Sequence, residues 1–263
     1  MERSIWENKK FSEDFKIKWS CPTCGKGRLI VVKDKFYYEE TALSRSRSGD
    51  DWEPEFITHN FTCVFKCSNP DCGDIITACG YGDVSDGSYY DEGQKEFIQE
   101  FTNDFEPKYV NPPFKIIDVS PDCPLEITKQ LQNSFSLFWS DVSACANSIR
   151  KTVELIMDDK GMKKTEINRS RKRVPIALHK RIIEFRDSPG MKKLGESFLA
   201  VKWIGNPGSH GGEGISDSDL LDAYEILELA LHELYDTKKN KIEKIVKAIN
   251  KTKKPRSKVK RKF

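Results

Sequence analysis

Residues 21–25 read CPTCG, and residues 67–74 read CSNPDCGD. The first stretch is a C-x2-C pair followed by glycine, and in the second a C-x4-C pair encloses the turn Asn69-Pro70-Asp71. Turns of this kind aim two thiolates at one point, and four thiolates fill the tetrahedral coordination of a structural zinc ion. The sequence therefore predicts zinc bound by four ligands: Cys21, Cys24, Cys67 and Cys72.

The segments between the two cysteine pairs are strand-like. Residues 28–38, RLIVVKDKFYY, and residues 56–67, FITHNFTCVFKC, are rich in β-branched and aromatic residues. Two cysteine turns presented by β-hairpins make a zinc ribbon, so we predict a β-rich N-terminal half. Four sulfur ligands leave no open position for water, which assigns the zinc to folding rather than to catalysis. The alternative is two unconnected pairs of reduced cysteines.

One further cysteine and one histidine could also serve as ligands. Cys63 is spaced from the second pair like a ligand, but it also falls in an alternating strand pattern, where we place it. Cys79 is expected in the strand that follows, whereas Cys123 and Cys145 resemble ordinary small apolar residues. His59 could replace one cysteine ligand.

From residue 125 onwards the apolar pattern becomes helical. Apolar residues recur at steps of three or four along this segment: Leu131, Phe135, Phe138, Val142, Cys145, Ile149, Val153 and Ile156. They predict one long amphipathic helix, or two helices with a bend near Trp139-Ser140-Asp141.

Three further segments complete the helical half. Residues 163–173, KKTEINRSRKR, are basic and loop-like, and residues 174–187 predict a helix with Pro175 in its first turn. Residues 190–206 predict another helix, and Ser216 caps the last long one, with Asp219 three residues later. Helices in succession without strands between them indicate a helical bundle.

These patterns predict an α+β chain with four parts. Residues 1–106 are the zinc-ribbon β domain with an acidic insertion, and residues 107–124 are a proline-rich connector. Residues 125–237 are the helical bundle, and residues 238–263 are a basic tail.

The charge of the chain is unevenly distributed. The 263 residues have a net charge of +3, but residues 238–263 alone have a balance of +12, which leaves the rest at −9. Such a tail is typical of contact with nucleic acid or another polyanion. The alternative is a solubilising, disordered end that folds back on the acidic body.

Composition argues against a membrane protein. No stretch approaches the roughly 18 apolar residues of a membrane-spanning helix, and charged residues make up 32% of the chain. Residues 1–19 lack the apolar core of a secretory signal. We therefore expect a cytoplasmic protein without a membrane partner.

Residues 203–214, WIGNPGSHGGEG, join the last two predicted helices of the bundle. Gly205 or Asn206 can end the earlier helix in a left-handed conformation. Further glycines leave the backbone next to His210 without side chains, so that another group can approach it. A histidine in such a loop can transfer a proton or donate to a phosphate. The alternative is a polar cap that only satisfies the helix ends.

Three motifs carry a resemblance to a known family. GNPGSHGG at residues 205–212, ANSIRKTVELIMDDKG at 146–161 and NPPFKIIDVSPDCP at 111–124 resemble domain-of-unknown-function family 4145 over roughly residues 105–237. That family looks like a branch of the HEPN superfamily (higher eukaryotes and prokaryotes nucleotide-binding). The resemblance implies a small helical bundle, often a homodimer. Many HEPN domains are metal-independent ribonucleases of toxin–antitoxin, phage-defence and RNA-processing systems.

The resemblance also implies site residues. HEPN ribonucleases carry an arginine, a polar residue directly after it and a histidine shortly beyond. Here His210 matches the histidine and Asn206 matches the polar residue, but the arginine position falls on Gly205. Without that guanidinium, the charge of the transition state lacks its usual partner.

Two cations could replace the missing arginine. Lys202 lies one helical turn before Gly205, and Arg150 lies on the predicted first helix. Arg150 and Glu154 are spaced i, i+4, which also suits an ordinary ion pair.

Two functions follow from these features. The first, which the missing arginine favours, is a non-catalytic HEPN-like module that binds RNA or a nucleotide, dimerises through its bundle, or holds a partner protein from a prokaryotic defence locus. The alternative is a metal-independent endoribonuclease. There His210 would be the acid/base, Asn206 would orient it or the phosphate, and Lys202 or Arg150 would supply the charge.

Overall fold

The computed structural model describes residues 1–47, 52–93, 95–205, 214–253 and 255. Within these ranges the chain is α+β, as predicted: strands dominate up to residue 111, and helices dominate after it. None of the helices in these ranges combines the length and apolar character that crossing a bilayer requires.

The N-terminal half is built on one antiparallel sheet. Its strands are β1 (Phe11–Ser12), β2 (Leu29–Val31), β3 (Tyr37–Glu40), β4 (Thr58–Cys67), β5 (Ile75–Asp86) and β8 (Phe101–Asn111). They lie in the order β1-β8-β5-β4-β2, and β3 also pairs with β4. In β4, buried Phe61, Cys63 and Phe65 alternate with more exposed residues, because successive side chains of a strand point to opposite faces.

A small hairpin stands apart from this sheet. Its strands β6 (Tyr89–Asp91) and β7 (Glu96–Ile98) pair only with each other among the described residues. The hairpin follows the end of the sheet at which Asp86 of β5 pairs with Phe101 of β8. It therefore extends β5 and β8 beyond the main sheet.

The helices of the described ranges have the following bounds: α1 (Ser4–Glu7), α2 (Ala42–Arg45), α3 (Leu125–Ser140), α4 (Val142–Asp159), α5 (Leu178–Arg186), α6 (Lys192–Ile204), α7 (Asp217–Tyr235) and α8 (Thr237–Thr252). The predicted bend is confirmed, because Asp141 adopts an extended conformation between α3 and α4 and its side chain accepts a hydrogen bond from the Ala144 N–H. The predicted cap of α7 is also confirmed as a reciprocal Ser216–Asp219 capping box. Helix α8 covers the first part of the basic tail, residues 238–252.

Two predictions for the segment before α5 are wrong. Residues 163–173 do not form a simple loop, because β9 (Thr165–Ile167) and β10 (Arg173–Pro175) pair as an antiparallel hairpin between helices. Pro175 lies at the end of β10, not in the first turn of a helix, and α5 begins at Leu178. Proline is tolerated there because both strands of a two-stranded hairpin are edge strands, where a missing N–H donor is accepted.

The sheet and the helices share one hydrophobic core, and Trp139 near the end of α3 lies at their junction. Its ring centroid is 5.2 Å from that of Trp19, 5.4 Å from that of Phe114 and 6.4 Å from that of Trp6. Strand β8 continues past residue 107, where the sequence places the start of the connector, and Phe114 is fully buried. The connector is therefore part of the core.

Lys9 adds a polar contact across the same junction. Its buried ammonium group donates to the Phe138 carbonyl oxygen at 2.8 Å and to Asp217 Oδ1 at 2.7 Å. It also lies 3.9 Å from the centroid of the Phe138 ring. The N-terminal segment thus joins the end of α3 to the start of α7.

We expect Trp139→Ala to lower the free energy of unfolding by about 3–5 kcal/mol, because it leaves a cavity among the three neighbouring rings. Urea unfolding followed by circular dichroism measures this, with exposed Trp52→Ala as the control. A shared core also predicts one transition for the wild-type chain. Two separate transitions, or a loss as small as that of the control, would contradict this description.

Candidate functional site

The four predicted zinc ligands converge on one point. The Sγ atoms of Cys21, Cys24, Cys67 and Cys72 all lie within 4.8 Å of one another. The Cys21–Cys72 distance is 3.9 Å and the Cys24–Cys67 distance is 3.6 Å. Four sulfurs at the usual zinc distance would stand about 3.8 Å apart. The arrangement suits a tetrahedral metal ion, and the alternative of unconnected pairs does not fit it.

The two cysteine turns fold in the same way. In each, the glycine after the second cysteine is left-handed, with φ of +65° at Gly25 and +59° at Gly73. The Gly25 N–H donates to the Cys21 carbonyl oxygen, and the Gly73 N–H donates to that of Asn69. Glycine suits both positions because it adopts positive φ without steric strain. The sequence signal for this site therefore includes the glycines as well as the cysteines.

Backbone N–H groups donate hydrogen bonds to two of the four cysteine sulfurs. The Gly27 N–H donates to Cys24 Sγ, and the Asn69 N–H donates to Cys67 Sγ, each at 3.4 Å. Donation from Gly27 and then Lys26 lowers the pKa of Cys24 to about 6, whereas burial raises the pKa of Cys67 to about 12. The hydrogen bonds thus favour the thiolate form of Cys24, and metal binding requires the thiolate form of all four cysteines.

Cys63 and His59 lie outside this cluster. Both are buried in β4, where Cys63 belongs to the packed face of the sheet and the His59 ring stacks edge-on to Tyr38 with centroids 5.0 Å apart. Burial raises the pKa of Cys63 to about 12, which makes it an inert thiol. Their placement agrees with the strand prediction for Cys63.

The second candidate site is where α6 ends. Asn206 and His210 lie outside the described residues, and Gly205 is the last described residue before them. Gly205 is right-handed, with φ of −76°, so the left-handed ending is wrong for this residue. A Cβ atom there would lie 3.2 Å from the Ala146 carbonyl oxygen and 3.2 Å from Arg150 Cβ. Glycine is therefore present because α6 packs closely on α4.

The two cations considered for catalysis lie beside this glycine. Arg150 Cβ lies 3.2 Å from where a Cβ atom at Gly205 would be, and Lys202 is buried one turn earlier on α6. Burial, and then the charge of Arg150, lower the pKa of Lys202. Glu154 forms an ion pair with Lys151 at 2.8 Å. The structure thus places Arg150 of α4 against the end of α6, the helix that carries Lys202.

Two aromatic residues at this place were missed by the sequence reasoning. Trp203 is 56% exposed, and the Lys202 ammonium lies 3.5 Å from the centroid of its ring. His179 of α5 lies next to it, with ring centroids 5.8 Å apart. We call Arg150, His179, Lys202 and Trp203 the cation–aromatic cluster. Its cations can hold an anion, and its exposed indole can stack on a planar group.

The helical half resembles a known family by direct comparison. Residues 132–253 match the model of Domain of unknown function (DUF4145). Residues 9–110 match the model of a second family, Domain of unknown function (DUF8608). No curated protein and no solved structure matches the chain. The first match supports the predicted resemblance for residues 132–237. It begins after the motif at residues 111–124, which it does not include, and it extends beyond residue 237 to include α8.

We expect Cys67→Ser to abolish stoichiometric metal binding, because three sulfurs leave the tetrahedral site open. Metal content of the purified chain by inductively coupled plasma mass spectrometry measures this. Cys79→Ser is the matched control, because Cys79 lies in β5 outside the cluster. Equal metal content in both variants would show that the four cysteines are not the site.

Proposed function

We propose that this chain binds RNA through the cation–aromatic cluster without cleaving it, and that its four cysteines hold a structural zinc ion. The observation that carries the RNA proposal is that Arg150 packs against the end of α6, where the Lys202 ammonium lies on the exposed Trp203 ring. The match to Domain of unknown function (DUF4145) supports extending the HEPN-like relation of that family to this chain.

The choice of zinc follows from the donor set. Four cysteine sulfurs at tetrahedral spacing are the usual ligands of structural zinc in proteins. A cation there would neutralise the buried thiolates and hold the turn after Trp19 against the turn after Cys67. Its role would therefore be to stabilise the end of the sheet that carries Trp19.

The choice of RNA follows from charge and shape. A phosphate group suits adjacent guanidinium and ammonium groups, and an unpaired base suits an exposed indole. Single-stranded RNA supplies both groups repeatedly along its length. The many lysines of residues 238–263 would add attraction that does not depend on sequence.

We expect Arg150→Ala and Lys202→Ala each to weaken binding of a labelled single-stranded RNA about tenfold, because each removes one charge-assisted contact. The slope of log K against log salt concentration would become shallower by about 0.7 per lost phosphate contact. Fluorescence anisotropy across a salt series measures both quantities.

Lys151→Ala is the matched control for this experiment. Lys151 neighbours Arg150 in sequence, but its ammonium group is exposed and paired with Glu154. The control should change affinity little. Unchanged affinity in both cluster variants would place the RNA on residues 238–263 alone. Equal weakening in all three variants would show an effect of net charge only, and either outcome would contradict a site at the cluster.

One observation favours the second candidate, a metal-independent endoribonuclease. The motif arginine would fall on Gly205, and Arg150 occupies the space beside the position where its Cβ would be. Arg150 or Lys202 would then supply the positive charge, His210 would be the acid/base, and Asn206 would orient the phosphate. Glu154, which is also a candidate site residue, lies on the same helix as Arg150.

The binding proposal predicts no cleavage of total cellular RNA or of tRNA by the wild-type chain, with or without a metal chelator. His210→Ala should then behave like the wild-type chain in the same gel assay. Cleavage that survives chelation and is lost in His210→Ala would instead establish the endoribonuclease. Cleavage retained in His210→Ala would exclude His210 as the acid/base.

A further inference from the structure

Helix α8 carries an apolar stripe on its surface. Ile242, Ile245, Val246 and Ile249 follow the spacing i, i+3, i+4, i+7, which places them on one face of the helix. Ile242 is 61% exposed, Val246 and Ile249 are also exposed, and Ile245 is half-buried. We call these four residues the helix stripe. Water contact with a stripe of this width is unfavourable, so the face suits a partner.

The helix stripe is surrounded by positive charge. Lys241, Lys244, Lys247 and Lys251 are exposed on the same helix. Two α8 helices placed against each other would bring these lysines together, and the like charges would oppose the contact. The partner of the helix stripe should therefore be apolar and acidic.

The β6–β7 hairpin has these properties. Tyr90 and Phe97 stand directly opposite each other on its two strands and are 58% and 67% exposed. Tyr89, opposite Ile98 on the other face, is also exposed. We call Tyr90 and Phe97, which share one face, the hairpin patch. A hairpin of only two strands is marginally stable in water, so a covering surface would stabilise it.

The charge of the hairpin is opposite to that of α8. Five acidic residues lie in or beside it, against Lys95 as the one base in residues 86–100: Asp86, Asp91, Glu92, Glu96 and Glu100. A basic apolar helix and an acidic aromatic hairpin are complementary in both properties that favour association. A membrane of anionic lipids would attract α8 but would repel this hairpin.

We propose that the helix stripe of one copy of this chain docks on the hairpin patch of a second copy. Within one chain the two surfaces are both exposed, so they do not cover each other. The hairpin leaves the sheet beyond Asp86, whereas α8 starts where Thr237 Oγ1 donates to Asp122 Oδ2 at 2.6 Å. Two such contacts related by a two-fold axis would close a dimer.

The first experiment measures self-association by analytical ultracentrifugation across a concentration series. The helix variant is Ile242→Ser with Val246→Ser, and the hairpin variant is Tyr90→Ser with Phe97→Ser. The wild-type chain, of 30.2 kDa, should associate to about twice its mass. Each variant should weaken association at least about tenfold. Ile167→Ser, which changes an exposed residue of another hairpin, should have no effect.

The second experiment mixes the two variants. The helix variant keeps an intact hairpin patch and the hairpin variant keeps an intact helix stripe, so the mixture should form heterodimers through one contact. Circular dichroism and melting of each variant alone establish that it is folded. A charge exchange adds a further readout: Glu96→Lys and Lys247→Glu should each weaken association, and their mixture should partly restore it.

Three outcomes would overturn the proposal. One is a wild-type chain that stays monomeric at every concentration. Another is a dimer that neither variant weakens, which would place the interface on the helical bundle. The third is a monomeric wild-type chain that binds phosphatidylserine vesicles through the helix stripe, which would make a lipid surface the partner.

Discussion

The packing of rings around Trp139 is the constraint on which the rest of the structure depends. Trp6, Trp19 and Phe114 come from three separate segments, and each places an aromatic ring against this one side chain. Because Trp139 lies one residue before the end of α3, these contacts fix the orientation of α3 on the sheet. Helix α4 starts directly afterwards, so the position of Arg150 also follows from this packing.

The cysteine cluster and the cation–aromatic cluster are connected through the same core. Trp19 stands two residues before Cys21, and its carbonyl oxygen accepts a hydrogen bond from the Leu29 N–H on the far side of the first turn. Closing that turn around a metal ion would therefore hold the Trp19 ring in place. A binding surface on the helices would then rely on an ion bound in the sheet.

The sequence predicts those features that depend on spacing alone. The two cysteine turns and the α7 cap are local patterns, and the structure confirms that the four sulfurs gather and that the cap forms. The hairpin at residues 165–175 was missed because strands of three residues are too short to show alternation. Of the two residues predicted to end α6 in a left-handed conformation, Gly205 is excluded and Asn206 lies outside the described residues. The sequence could not show this, because a turn and a close helix contact both favour glycine. The contact of His179 with Trp203 depends on how α5 packs on α6, which no local pattern encodes.

The contact made by Lys9 limits which other N-terminal modules could be joined to the helical half. The family match of the helical half begins at residue 132, yet that half uses an ammonium group from residue 9 to bridge the end of α3 and the start of α7. A different N-terminal module joined to these helices would have to supply both a cation and aromatic rings at the same positions. The halves match separate families, but in this chain they have become structurally dependent on each other.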